Sequence, residues 1–286
     1  MTELKVEALR HVYSAGTPFE KIAIGDIDLT IPQGQLAAVI GHTGSGKSTF
    51  IQHLNALLTP SSGRVLLDGQ DINETKASRR AVKFRVGLVF QYPEYQLFEE
   101  TVYKDIAFGP KNQKLSEQKI DSRVRMAASF TGIDEELFGR SPLELSGGQK
   151  RRIAIAGVIA MQPDFLILDE PTAGLDPRGC DQILDNIMAY REKTGAAILI
   201  VSHNMDDVAR LCERVIVFDG GRIAMDGSPE EVFSRPEELL SIGLTVPHAT
   251  AIAMELRRQG MALPGSIYTH EQLLAAVKRA RGVEPC

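Results

Sequence analysis

Lys47 closes the run Gly41-His-Thr-Gly-Ser-Gly46-Lys47-Ser48, and further along a carboxylate pair, Asp169-Glu170, ends the apolar run Phe165-Leu-Ile-Leu. The first run fits the phosphate-cradling pattern G-x-x-x-x-G-K-[ST]. Its glycines let the backbone turn tightly, so that consecutive N–H groups converge on one concavity that suits an anion. Gly41, Thr43, Gly44, Ser45, Gly46, Lys47, Ser48 and Thr49 are therefore the candidate nucleotide-binding set. Lys47 would reach the β- and γ-phosphates, and the Ser48 hydroxyl would ligate Mg²⁺. Asp169 would hold the magnesium shell, while Glu170 would orient or deprotonate the attacking water. A third run, Ser146-Gly147-Gly148-Gln149, stands before a helix-forming stretch and offers a second helix N-terminus for phosphate. A capped helix after a flexible turn accounts for Ser146 but not for all of Leu145–Gln149. One chain has no evident need for two γ-phosphate sites.

The elements that must position these groups follow from hydrophobic patterning. Gln35–Ile40 reads as a buried parallel strand, and Ser48–Leu58 as the helix opened by the phosphate loop. Phe165–Leu168 reads as another buried strand, with its carboxylates at the C-terminal end, where ligands gather in open α/β sheets. Residues 1–90 read as short strands with a turn at Asp68-Gly69, leading into the nucleotide core. Residues 92 to about 160 read as mostly helical, with breaks at Pro93, Pro110, Gly132 and Pro142. The core resumes over 163–203, and Arg214–Gly227 reads as a hairpin turning at Asp219-Gly-Gly. In the tail, Ala251–Gln259 and Thr269–Ala280 read as amphipathic helices, the second capped by Thr269.

Composition bounds the function. A chain of 286 residues buries a full α/β core and a smaller appendage. Net charge −5 and pI near 5.8 argue against nucleic acid as a partner. Cys180, Cys212 and Cys286 are widely spaced and odd in number, which fits a reducing compartment and no metal site. No leader and no apolar run of about eighteen residues is visible, so other chains would form any membrane path.

In this order the motifs resemble the nucleotide-binding subunit of an ATP-binding cassette (ABC) ATPase, over residues 1 to about 230. The resemblance implies an α/β fold: a P-loop NTPase core of the ABC type with an antiparallel β subdomain and a helical arm (about 92–160). Residues 231–286 would form a small C-terminal helical extension and a dimer contact. It also implies that Gln91 is the glutamine loop, a further magnesium ligand, and that Asp176, in Ala173-Gly-Leu-Asp176, belongs to the D-loop. His203 would be the γ-phosphate sensor. Tyr13 would stack the adenine, with Phe19 as a competitor. ATP would lie between two subunits, the phosphate loop of one facing the Ser-Gly-Gly-Gln of the other.

Two stretches, Phe90–Pro110 and the C-terminal tail, resemble the ATPases of energy-coupling factor (ECF) transporters, and with the N-terminal Gly16-Thr-Pro-Phe-Glu-Lys21 the chain most resembles the second of their paired subunits. The resemblance implies an importer of vitamins or other micronutrients and a peripheral location on the cytoplasmic face of the cell membrane. Its partners would be a sister ATPase, or a second copy, and a membrane-embedded coupling protein docking near Gln91 to Asp105. Substrate-binding membrane subunits would take part indirectly. Tyr92, Tyr95, Leu97 and Phe98 would line the groove, with Glu94, Glu99, Glu100 and Asp105 at its rim. Alternatives are a dedicated cobalt or nickel importer and a soluble ABC ATPase working without a permease.

Overall fold

Alternation of apolar and polar residues produces two long strands, β1 (Glu3–Tyr13) and β2 (Lys21–Pro32), in the computed structural model, which describes residues 2–282. There follow β3 (Leu36–Gly41), α1 (Lys47–Leu54), β4 (Ser62–Leu67), β5 (Gln70–Asp71), α2 (Lys76–Arg85) and β6 (Val86–Val89). The middle of the chain forms α3 (Val102–Asn112), α4 (Glu117–Thr131), α5 (Gly147–Ile159), β7 (Phe165–Asp169), α6 (Pro177–Thr194) and β8 (Ala197–Val201). The last part forms α7 (Met205–Leu211), β9 (Arg214–Asp219), β10 (Arg222–Gly227), α8 (Pro229–Phe233), α9 (Pro236–Ser241), α10 (His248–Arg258) and α11 (His270–Ala280). The chain divides into two compact units, one of residues 1–35 and 48–201, the other of residues 36–47 and 202–286.

The first unit holds an antiparallel sheet in the order β2-β1-β4-β5. β1 runs against β2 from Glu3↔Pro32 to Tyr13↔Lys21, with bulges on either side of Leu9 that open at the left-handed Ala8. A Cβ at Gly63 would lie 2.1 Å from the Ala8 carbonyl oxygen, so the bulge and that glycine fit together. The same unit holds the parallel strands β8-β7-β6, apolar but for Gly87 and the terminal Asp169 and buried along their whole length. Each fully buried Leu or Ile there contributes roughly 1.5–3 kcal/mol. Helices α3, α4 and α5 pack on one another. Gly109 allows the closest approach, since a Cβ there would lie 2.5 Å from Met161 Cγ.

In the second unit β3 pairs in parallel with β9, and β9 turns through Gly220-Gly221 into antiparallel β10. The tail has its own small core of Ala249, Ala253, Ile267 and Ala276, flanked by Leu263 and Leu273. Alanines at the contact let α10 and α11 approach closely. Thr250, fully buried, donates its hydroxyl to the Ile267 carbonyl at 2.7 Å. Thr269 and Gln272 form a reciprocal capping box that starts α11.

Several expectations need correction. Pro110 does not end its helix: α3 continues to Asn112, with Pro110 buried inside it. A proline in the last turn of a helix removes only one N–H, and buried Pro110 is followed by just two more helical residues. The helix after the phosphate loop stops at Leu54, and Ala56 follows in a left-handed conformation. β1 and β2 are long bulged strands rather than short ones. Cys180 and Cys212 form no disulfide among the described residues, as their spacing implied, and Cys286 lies outside those residues.

Candidate functional site

The phosphate loop leaves β3 at Gly41, which pairs with Phe218 of β9. A Cβ on Gly41 would meet the Phe218 carbonyl oxygen and the Ser45 hydroxyl, each at 2.5 Å. Glycine is the residue that fits this approach. Gly44 and Gly46 take positive φ values of 84° and 105°, which the tight turn requires. The loop is braced by Ser45 N–H donating to His42 O (3.1 Å) and Gly221 N–H donating to Ser45 O (3.0 Å). The buried Ser45 hydroxyl has no hydrogen-bond partner among the described residues. Lys47 is buried and curls its ammonium back onto the carbonyls of Gly41 (2.5 Å) and His42 (3.0 Å). An orphaned hydroxyl, a lysine satisfied by the loop's own carbonyls and a glycine-shaped cradle fit a polyphosphate, which would compete for those donors. His42 occupies a variable position of the motif, which gives no local signal of a role. Its ring bridges Thr43 O (2.9 Å) and Asp219 Oδ1 (3.0 Å) and so ties the loop to the end of β9.

In the first unit, Ser48 and Thr49 lie on the opening turn of α1. The Tyr13 hydroxyl hydrogen-bonds with Thr49 Oγ1 at 3.2 Å, and the Tyr13 ring stands edge-on to His11 at 4.5 Å. Beneath it His53, fully buried, donates through Nδ1 to Thr49 O (2.7 Å) and faces His11 Nδ1 through Nε2 (3.1 Å). Burial lowers the His53 pKa, partly opposed by its bond to Thr49, and nearby His11 lowers it further. Tyr13 is thus tied to the helix that follows the phosphate loop, whereas Phe19 stands exposed in the preceding turn.

Parallel pairing of β6 with β7, Val89 opposite Leu168, brings Gln91 and the Asp169-Glu170 pair to the same end of adjacent strands. Glu170 holds a left-handed φ of 51°, a conformation that costs a non-glycine residue about 1–3 kcal/mol and concentrates at functional sites. It is held by its N–H donating to Val201 O (3.0 Å) and by Ala173 N–H donating to its carbonyl (3.1 Å). Ser48, Gln91 and Asp169 supply hydroxyl, amide and carboxylate oxygens, a hard donor set that suits Mg²⁺ completed by phosphate oxygens. No cluster of three or more His, Cys, Asp or Glu able to hold a metal occurs among the described residues.

Ser146 caps α5: its hydroxyl accepts from Gln149 N–H (3.3 Å), and Gln149 Oε1 accepts from Ser146 N–H (3.0 Å). Ser146 and Gly147 are exposed, which leaves this helix start open to another molecule. Asp176 caps α6, accepting from Gly179 N–H at 2.7 Å. His203 is exposed in the turn before α7, where Asn204 caps the helix.

A family model described as "ABC transporter" matches residues 24–173. The chain belongs to the ABC transporter family. It is 52% identical over 270 residues to the energy-coupling factor transporter ATP-binding protein EcfA2 of Clostridium tetani, covering 94% of each chain. It is 43% identical to the EcfA2 of Bacillus thuringiensis strain Al Hakam, covering 99% of each. Among solved structures it resembles cbiO1 of Clostridium perfringens, part of the ABC transporter complex cbiONQ. That match has 40% identity and TM-score 0.74, covering 90% of this chain and 96% of that one. It also resembles the cassette MJ0796, a dimer bound to ADP and phosphate, at 25% identity and TM-score 0.71, covering 79% of this chain and 98% of that one. The expected ABC fold and the energy-coupling factor class are borne out, and the chain is an ATPase of that class. No helix among the described residues is long and apolar enough to cross a membrane.

This ABC ATPase carries an apolar groove of about 410 Å³ after Gln91, lined by Leu97, Phe98, Phe108, Ile153, Val158 and Met161. Leu97 and Phe98 line it as expected, but Tyr92 and Tyr95 do not: both are exposed outside its lining, Tyr95 by 85%. The acids expected at its rim are not alike. Glu94 turns inward to Arg151. Asp105 is buried, accepting from the Phe98 and Glu99 N–H groups at 3.3 Å each, and burial raises its pKa against the pull of those donors. Glu100 pairs with Lys104 at 2.5 Å. Arg80 and Lys83 also line the groove. Only side chains distant in sequence could have revealed the Glu94–Arg151 pairing.

Proposed function

We propose that the chain is the ATP-hydrolysing coupling subunit of an energy-coupling factor importer of vitamins or other micronutrients, working on the cytoplasmic face of the membrane. The loop N–H groups and Lys47 hold the phosphates. Ser48, Gln91 and Asp169 hold Mg²⁺, which when bound offsets the charge of the phosphates. Glu170 orients the attacking water and takes its proton, and His203 senses the γ-phosphate. Tyr13 stacks the adenine. The exposed Ser146-Gly147-Gly148-Gln149 turn and Asp176 serve the ATP of a second ATPase subunit, first of all a sister chain and otherwise a second copy. C-terminal α10 and α11 help to hold that pair together. Closure of the pair on ATP would pull on a membrane-embedded coupling protein, and substrate-binding membrane proteins would join through it.

The observation that carries the reading is the aromatic-flanked apolar groove that begins directly after Gln91. A helix-in-groove contact needs such a trough. The test is affinity capture of the tagged native chain in gentle detergent. A second ATPase and a polytopic membrane protein are expected, with small membrane proteins in varying amounts. Phe98→Asp should release the membrane proteins and keep the second ATPase. Recovery of soluble chains alone would sink the transport reading. Glu170→Gln should accumulate an ATP-bound dimer with little turnover, and phosphate release at the wild-type rate would remove Glu170 as the base.

A further inference from the structure

Arg151 is 3% exposed, and its partners lie on two other segments of the first unit. Its Nε and Nη2 donate to the two Glu94 carboxylate oxygens at 3.3 and 3.2 Å. From the other side of the same planar group, Nη1 donates to the Ala173 carbonyl. The guanidinium carbon also stands 6.0 Å from the centre of the Tyr92 ring. A buried pair of this kind is not accounted for by stability, since apolar residues of similar size generally serve as well or better. What a guanidinium supplies that they cannot is a fixed geometry between two acceptors.

The joined segments have distinct places in the fold. Glu94 belongs to the one-turn 3-10 helix Pro93–Gln96 beside the groove, entered through Tyr92 at a left-handed φ of 57°. Arg151 is on α5, which starts at the exposed Ser146-Gly147 and whose later residues Ile153 and Val158 line the groove. Ala173 belongs to the turn that returns to Glu170, its N–H donating to the Glu170 carbonyl at 3.1 Å. A displacement of the Glu94 turn would therefore reach the Glu170 carbonyl through the guanidinium plane and two successive hydrogen bonds, Arg151 to the Ala173 carbonyl and the Ala173 N–H to Glu170.

We propose that Arg151 is a positioning residue, a tie that couples the Pro93–Gln96 turn, whose Gln96 lines the groove, to the Glu170–Asp176 loop, so that seating of a partner helix sets the loop for hydrolysis. The proposal rests on the docking reading of the groove. Lysine at 151 would keep the charge as a single point and hold one acceptor at a time; glutamine at 94 would keep the shape and lose the charge.

The test uses Arg151→Lys and Glu94→Gln in the complex captured with its membrane partners, measuring solute taken up per ATP hydrolysed. Each substitution should lower that ratio about tenfold, and the double substitution should do no further harm, as expected of one shared interaction. In the isolated chain, amide exchange over residues 172–175 should rise about tenfold in Glu94→Gln, although the change is on another segment. Unchanged exchange there would overturn the tie whatever the groove binds. Uptake and hydrolysis falling in proportion, or multiplicative single effects, would overturn its coupling role. Loss of the membrane partners from either variant would make these docking residues and overturn the proposal too. The docking reading fails separately, if Phe98→Asp retains the membrane partners.

Discussion

Gly41→Ala sets the geometry of the phosphate loop against a measurable affinity. A methyl at this position would lie 2.5 Å from both the Phe218 carbonyl oxygen and the Ser45 hydroxyl. Phe218 cannot retreat without giving up its pairing with Gly41 in the parallel ladder, so the loop must yield by about half an ångström. Overpacking of this kind costs about 1–3 kcal/mol, which lowers the unfolding midpoint by roughly 5 °C. The larger effect falls on ATP, because the N–H groups that must converge on the phosphates move with the loop. Since a 1 Å misplacement in a positioned site can cost on the order of 100-fold, half of that should weaken ATP binding by about tenfold. Titration calorimetry would read the loss directly, and thermal melts with ATP would read it again as lost ligand stabilisation. Gly44→Ala is the control: its Cβ meets nothing within 4 Å, and only the φ of +84° opposes it. That strain is about 1–2 kcal/mol. Wild-type ATP affinity in Gly41→Ala, or a heavier loss in Gly44→Ala, would refute the packing argument.

The tail and Tyr13 offer independent tests. Thr250→Val leaves the buried Ile267 carbonyl without its donor, a cost of about 1–2 kcal/mol, so amides of α10 should exchange roughly tenfold faster; no change would mean that the bond is not needed there. His248 accepts a raised pKa from its hydrogen bond to Asp206, so the contact is fully stabilising below the ordinary histidine value of 6.5 and is lost as pH rises through the higher folded value. Protection factors at the start of α10, corrected for the intrinsic rise of exchange with pH, should therefore fall towards mildly alkaline pH, and Asp206→Asn should remove that fall. Tyr13→Ala should weaken ATP binding about tenfold while Phe19→Ala leaves it alone; the opposite ranking would transfer the stacking role to Phe19.

Much of this was legible because the informative residues are contiguous. The glycines of the phosphate loop, the apolar strand before Asp169 and the cap at Thr269 each lie within a few residues of the structure they determine. The hairpin through Asp219-Gly-Gly and the turn at Asp68-Gly69 are equally local, and both form as their turn chemistry requires. Pro110 shows where local reasoning stops. Its ring disfavours helix, yet Pro110 is buried in the last turn of α3, where it removes only one N–H. His42 was legible as a motif position but not as a ligand of Asp219, which stands far along the chain.

The acids after Gln91 make the same point with consequences for mechanism. As a cluster, Glu94, Glu99, Glu100 and Asp105 suggest one electrostatic surface, yet the fold gives three of them separate tasks. Asp105 satisfies two backbone N–H groups and so shapes the groove wall; Glu100 is bound to Lys104; Glu94 neutralises Arg151. A partner that relied on the whole cluster would have to break a buried ion pair, which typically costs about 3–5 kcal/mol. Apolar seating on Leu97, Phe98 and Phe108 asks for no such loss, and it leaves Glu94 on Arg151. Docking by shape with the ion pair kept intact is therefore favoured over docking by charge. Raising salt should weaken partner capture far less than Phe98→Asp does, because screening acts on exposed charges and hardly on a buried pair.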